Sequence, residues 1–167
     1  MPSEADFSPS DWAILRELPF TVMLGAIVSD EGSKGWHVAK ETAVAAHQLI
    51  ADAKTQLDNP LILHVLTELS EGGTDSVDRE VDLDDEGARS SAMEAALIAS
   101  AAAATVLNRA DSGQAQAYKQ WVYNAAVAAT RAVKTGGVLG FGDKDVSESE
   151  TAFLQHLGEN LELAGAN

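Results

Sequence analysis

The side chains that could do chemistry are mostly carboxylates. Asp143, Asp145, Ser147, Glu148 and Glu150 offer oxygen ligands at near-alternate spacing, a pattern that suits a hard cation such as Ca²⁺ or Mg²⁺. An EF-hand loop starting at Asp143 would need Gly at its sixth position and a carboxylate at its twelfth. Glu148 and Leu154 stand there instead. The competing reading is that acids opening a helix cap free N–H groups and meet the positive end of the dipole. Asp30, Glu31 and Glu41 earlier in the chain admit the same two readings. The candidate metal ligands are therefore Asp30, Glu31, Asp143, Asp145, Glu148 and Glu150.

Other chemistries are poorly supplied. The four histidines, His37, His47, His64 and His156, make no His-x-x-x-His pair and no His-Glu-x-x-His zinc arrangement. His37 and Glu41 lie one helical turn apart, as a two-ligand fragment or a surface ion pair. No Gly-x-Ser-x-Gly elbow activates a serine, and the absence of cysteine removes thiolate nucleophiles, disulfides and thiolate zinc sites. The loop Gly136-Gly137-Val138-Leu139-Gly140-Phe141-Gly142 follows a helix pattern, whereas phosphate cradles follow a strand. Asp143 and Asp145 beside it would repel phosphate. It reads as a connection, or as a partner-binding tip if Phe141 is exposed. Trp12, Trp36 and Trp121 read as core or helix-entry anchors. No catalytic residue is assigned, and a non-enzymatic role is favoured.

The chain that carries these groups has 167 residues, the length of one domain. Its net charge of −15 repels phosphate backbones and anionic lipid, which argues against nucleic-acid and membrane-surface partners. With 46% hydrophobic residues it can build a core. The N-terminus is acidic without an apolar run behind it, and the Ala-rich stretch Ala92–Leu107 is short and contains Glu94. The expectation is a cytoplasmic protein with no membrane insertion.

Beta-branched alternation is missing, and Ala, Leu, Glu and Gln fill each segment, so helices are expected throughout. Ser8-Pro9-Ser10-Asp11 opens the first helix with a capping box, carrying Trp12, Leu15 and Leu18 on one side. Pro19 breaks or kinks it, because proline lacks an N–H and collides with the preceding turn. An all-round apolar helix then runs from about residue 19 to 29 and should be buried in the middle of a bundle. Further helices are expected at about 36–57, 60–69 (Asn59 as N-cap), 85–109, 114–135 and 147–163, the last opening with a Ser147/Glu150 capping box. The Ala-rich helix at 85–109 should be central, since small side chains allow close approach. The fold class expected is all-α, a single globular bundle of about seven helices. Its two pseudo-repeated halves, about 8–70 and 86–165, would be joined by an acidic linker at 71–86.

The halves echo each other. Phe20–Val28 is followed by a Gly/Asp turn and by Glu41-Thr42-Ala43 with His47. Tyr123–Val133 is followed by a Gly turn and by Glu150-Thr151-Ala152 with His156. On Val22–Val28, Asp30, Glu31 and Gly32 in the first unit, and Ala125–Val133, Gly136, Ser147 and Glu150 in the second, the chain resembles the TerB-like (tellurite-resistance TerB) family. The Gly136–Gly142 turn with Val146-Ser147-Glu148 and Glu150 is also similar to uncharacterised bacterial helical proteins. The chain departs from the TerB-like pattern at Lys134-Thr135, where an Asp would precede the Gly turn. The resemblance implies an all-helical fold, a divalent-ion binding surface and a stress-related scaffold role. Two other functions stay open: a plain interaction module or homodimer, contacting through the Gly-rich tip or an Ala-rich helix face, and a carboxylate-metal enzyme.

Overall fold

The computed structural model describes residues 7–30, 46–47, 49–54, 58–71, 85–135 and 147–163. These are helical with no strand among them: α1 (Pro9–Ser29), α2 (49–53), α3 (Pro60–Glu71), α4 (Glu86–Leu107), α5 (Ser112–Thr135) and α6 (Glu148–Asn160). The acidic linker and the Gly-rich loop lie largely outside the described residues.

Each start follows from a short polar side chain on free N–H groups. Ser8 Oγ accepts from the Asp11 N–H (3.2 Å), with Pro9 opening the helix. Phe7 stacks on Trp12 (ring centroids 6.1 Å apart), the apolar staple that fixes the chain's entry angle. Asn59 Oδ1 accepts from Leu61 (3.0 Å) and Ile62 (3.3 Å) at the head of α3, while its Nδ2 donates to the Gln114 carbonyl (3.0 Å) and ties α3 to α5. Asp85 and Asp111 cap α4 and α5 in the same way. At α6 the full capping box is present: Glu150 N–H donates to Ser147 Oγ and Ser147 N–H to Glu150 Oε2.

The expected break at Pro19 is absent, and α1 runs unbroken from Pro9 to Ser29 with the proline inside it. A proline at 19 cannot donate to the carbonyl four residues back, at Leu15, and that carbonyl belongs to a residue with no solvent exposure. The buried Tyr118 of α5 donates its O–H to that same carbonyl. The helix continues because a neighbouring helix supplies the donor that the proline lacks. One continuous α1 where two helices are expected accounts for six rather than seven among the described residues.

This apolar helix is the centre of the bundle. It touches α3, α4, α5 and α6, most extensively α4. Leu15, Leu18, Val22, Met23, Ala26 and Ile27 have no exposure. The Ala-rich α4 allows close approach as expected, but it packs on one side of α1 and turns its other side to solvent. Arg89, in the first turns of α4, reaches the far end of α1. Its Nε and Nη2 donate to the Val28 carbonyl (3.2 and 2.9 Å), and Nη2 to the Asp30 carbonyl (2.6 Å). A guanidinium there satisfies carbonyls that have no helical donor and meets the negative end of the dipole. Arg89→Met keeps much of the stem but removes those charge-assisted bonds, and is expected to cost about 1.5–3 kcal/mol in a denaturant titration.

Candidate functional site

Three of the carboxylates expected at a metal site are described: Asp30, Glu148 and Glu150. Glu150 is 2% exposed, and its Oε2 closes the α6 capping box. Glu148 is exposed in the first turn of α6. Asp30 caps the end of α1, and its backbone carbonyl accepts from the Arg89 guanidinium. Glu31, Asp143 and Asp145 lie outside the described residues. Among the described residues no three His, Asp or Glu side chains converge on a point that could hold a metal ion.

The described histidines are also dispersed, and His37 lies outside the described residues. His47 and His156 are exposed, and His156 Nδ1 lies 3.4 Å from Glu159 Oε2. His64 enters the most concentrated polar cluster, at the α1–α3 contact. There Glu68 Oε1 accepts from Trp12 Nε1 (2.9 Å) and lies 3.7 Å from His64 Nε2, while Arg16 Nη1 sits 3.8 Å from Glu68 Oε2. The His64 ring meets the edge of Trp12 at 5.2 Å. A carboxylate surrounded by an indole N–H, an imidazole and a guanidinium joins two helices. Glu94, one of two mid-helix acids near an apolar stripe, is exposed, and the other, Glu41, is outside the described residues.

Two further ion pairs tie segments that are distant in the chain. Asp11, in the first turn of α1, is 2.7 Å from Arg109 Nη1 beyond α4. Hydrogen bonds from Ser8 and Arg109, and the Arg109 charge, hold its carboxyl below the usual carboxylate range. A carboxyl whose folded value is depressed contributes stability above its unfolded pKa of about 3.9, and loses it as pH falls through the folded value. The melting advantage of the wild type over Asp11→Asn should therefore be full at neutral pH, shrink below about pH 4 and vanish in stronger acid. Lys119, 6% exposed, pairs through Nζ with Glu162 Oε2 at 2.8 Å. Glu162 has a φ of 55°, in a helix-ending turn where the Leu163 N–H donates to the Gly158 carbonyl. Glycine is the usual residue there, and the ion pair to a buried lysine offsets the strain of a side chain in that conformation.

A groove of about 550 Å³ lies between α2 and α5, lined by Asp52, Gly113, Gln116, Ala117, Gln120, Trp121 and Asn124. The Trp121 ring is 2% exposed, with Nε1 donating to the Leu49 carbonyl, and Gln120 donates to Asn124. The lining offers carboxamides and one carboxylate, but no nucleophile next to a base.

The solvent side of α4 is different in kind. Ala95, Ile98, Ala101 and Thr105 are exposed along it at spacings of three and four, and Ile98 is 63% exposed. Both α1 and α4 are long and apolar enough to cross a membrane by length and composition. The most apolar stretch of α1 is 61% buried and that of α4 only 33%. The sequence suggested an Ala-rich helix face as a contact without selecting which one; its exposure depends on how α4 sits on α1. In comparisons with family models, curated proteins and solved structures, none matches this chain.

Proposed function

We propose that the protein is a non-enzymatic binding module, a helical scaffold of the TerB-like kind, that works by presenting the outer face of α4 to a protein partner. The carrying observation is the division of its groups. Described buried polar side chains such as Glu150, Lys119 and Asn59 hold helix ends and neighbouring helices together. The largest described apolar exposure, Ile98, lies on a helix face with no described helix against it. An exposed apolar stripe of this kind marks an interaction surface more often than a reaction site. The proposal includes two related halves, cytoplasmic residence, and no nucleic-acid or membrane partner.

Co-purification tests it. Full-length protein isolated from its own cells should carry a stoichiometric protein partner, another copy included, and Ile98→Lys should lose it. Wild type that carries no partner, or an Ile98→Lys variant that retains one equally well, overturns the reading. The divalent-cation part of the TerB-like reading has a separate test. An ion held by Asp30, Glu31, Asp143, Asp145, Glu148 and Glu150 binds only the native state, so millimolar Ca²⁺ or Mg²⁺ should raise the melting temperature. An unchanged melt removes that part and leaves the binding module.

A further inference from the structure

We propose that the groove between α2 and α5 binds a short extended peptide by its main chain, with a basic side chain of that peptide against Asp52. The site lies on a different helix from the exposed α4 face and does not depend on it.

The groove follows from two neighbouring rows of α5. Gly113, Ala117 and Trp121 recur every four residues along one row, and Gln116, Gln120 and Asn124 along the next. Glycine and alanine make the first row low, so the carboxamides beside it stand as a wall. Asp52 of α2 completes the lining. Trp121 donates from Nε1 to the Leu49 carbonyl (3.1 Å), which holds α2 against α5 and fixes the width. A volume of about 550 Å³ falls within the range of small-ligand sites.

The chemistry of the wall matches that of a peptide main chain. A carboxamide carries an N–H donor and a C=O acceptor side by side. One residue of an extended chain presents the complementary C=O and N–H to one edge. All three carboxamides are exposed, and Gln120 Nε2 donates to Asn124 Oδ1 at 3.0 Å. That bond uses one N–H of two and one lone pair of two, so both side chains keep a donor and an acceptor. The spacing agrees as well. Positions four apart on a helix rise about 6.0 Å, and their row is inclined about 26° to the axis, which sets them about 6.7 Å apart. An extended chain presents the same edge every two residues, about 6.6–6.8 Å. Three rungs therefore engage alternate residues of a peptide about five residues long.

Charge chooses among peptides. Asp52 is the one charged side chain in the described lining, and the whole chain carries a net charge of −15. Lysine or arginine in the ligand is attracted there, and glutamate is repelled. So small a footprint makes the binding weak.

A nuclear magnetic resonance titration of the full chain tests it, following the side-chain amides of Gln116, Gln120 and Asn124. The probe is a blocked peptide of about five residues, alternating alanine and lysine. It should shift those signals saturably at concentrations up to about 5 mM. The double variant Gln116→Ala/Gln120→Ala should weaken binding about tenfold while melting like wild type, because both side chains are exposed. A glutamate version of the peptide should bind about threefold more weakly or worse, and Asp52→Asn should shrink that difference. No shift by the lysine peptide overturns the site, as does a double variant that binds like wild type. Equal binding of a fully N-methylated peptide, which has no N–H to donate, overturns main-chain recognition. Equal binding of the lysine and glutamate peptides overturns the role of Asp52. Sucrose that shifts the same signals while the peptide does not makes the occupant a polyol and overturns the peptide. Ile98→Lys should leave the titration unchanged, so this site and the α4 face stand or fall separately.

Discussion

A Tyr118→Phe variant is expected to lose about 1–3 kcal/mol of stability, because the Leu15 carbonyl is then left in the core with no donor. For a chain of this size that corresponds to a fall in melting temperature of roughly 2–12 °C. Burial pushes the phenol's pKa far up, so the hydroxyl remains a neutral donor at any pH the fold survives. The specific cause is open to a double-mutant cycle. In a Pro19→Ala background residue 19 regains an N–H, and that group can donate to Leu15 in the ordinary helical way. Tyr118→Phe should then cost markedly less than it does with Pro19 present. Equal costs in the two backgrounds, from paired denaturant titrations, would show that the hydroxyl's contribution does not depend on the N–H that Pro19 lacks.

Gly25→Ala carries the second large effect, and its sign is set by competition. Alanine in a helix interior is favoured over glycine by about 1 kcal/mol. A β-carbon at 25, however, would lie 2.7 Å from Phe153 Cζ and 2.8 Å from Ala96 Cβ. The phenyl ring could swing aside, but the Ala96 methyl can move only with α4 itself. The clash should prevail, for a net loss of about 1–3 kcal/mol by thermal or urea denaturation. Adding Ala96→Gly moves the missing methyl to the other helix and should recover part of the loss, leaving the Phe153 contact as the remainder. A Gly25→Ala protein more stable than wild type would mean that α1, α4 and α6 do not converge there.

Both variants act at places where local signals are incomplete. The caps were legible because each depends on residues three or four positions apart. Ser8, Asn59, Ser147 and Glu150 take the roles their spacing indicates. The burial of residues 19 to 29 was legible for a similar reason, since a helix apolar on every side has no face to give to water. Pro19 misled because its effect on the chain is set by Tyr118, 99 positions away (118 − 19). Glu162 gave no signal, because a left-handed residue that is not glycine depends on Lys119 across the bundle. The candidate site was partly visible as an Ala-rich helix face, but the pattern of α4 has apolar residues on all sides and does not say which is left uncovered.

What the sequence determined by itself is the all-helical class, the caps at Ser8, Asn59 and Ser147, and the burial of residues 19 to 29. Periodicity and capping act within a few residues, over distances the chain cannot avoid. Only the tertiary structure decided that α1 would pass through its proline, that three helices would meet at Gly25, and that α4 would turn Ile98 to solvent. Each depends on which helix lies beside which. That choice is made by shape and hydrogen-bond satisfaction between segments far apart in the chain, where composition and spacing carry no record of it.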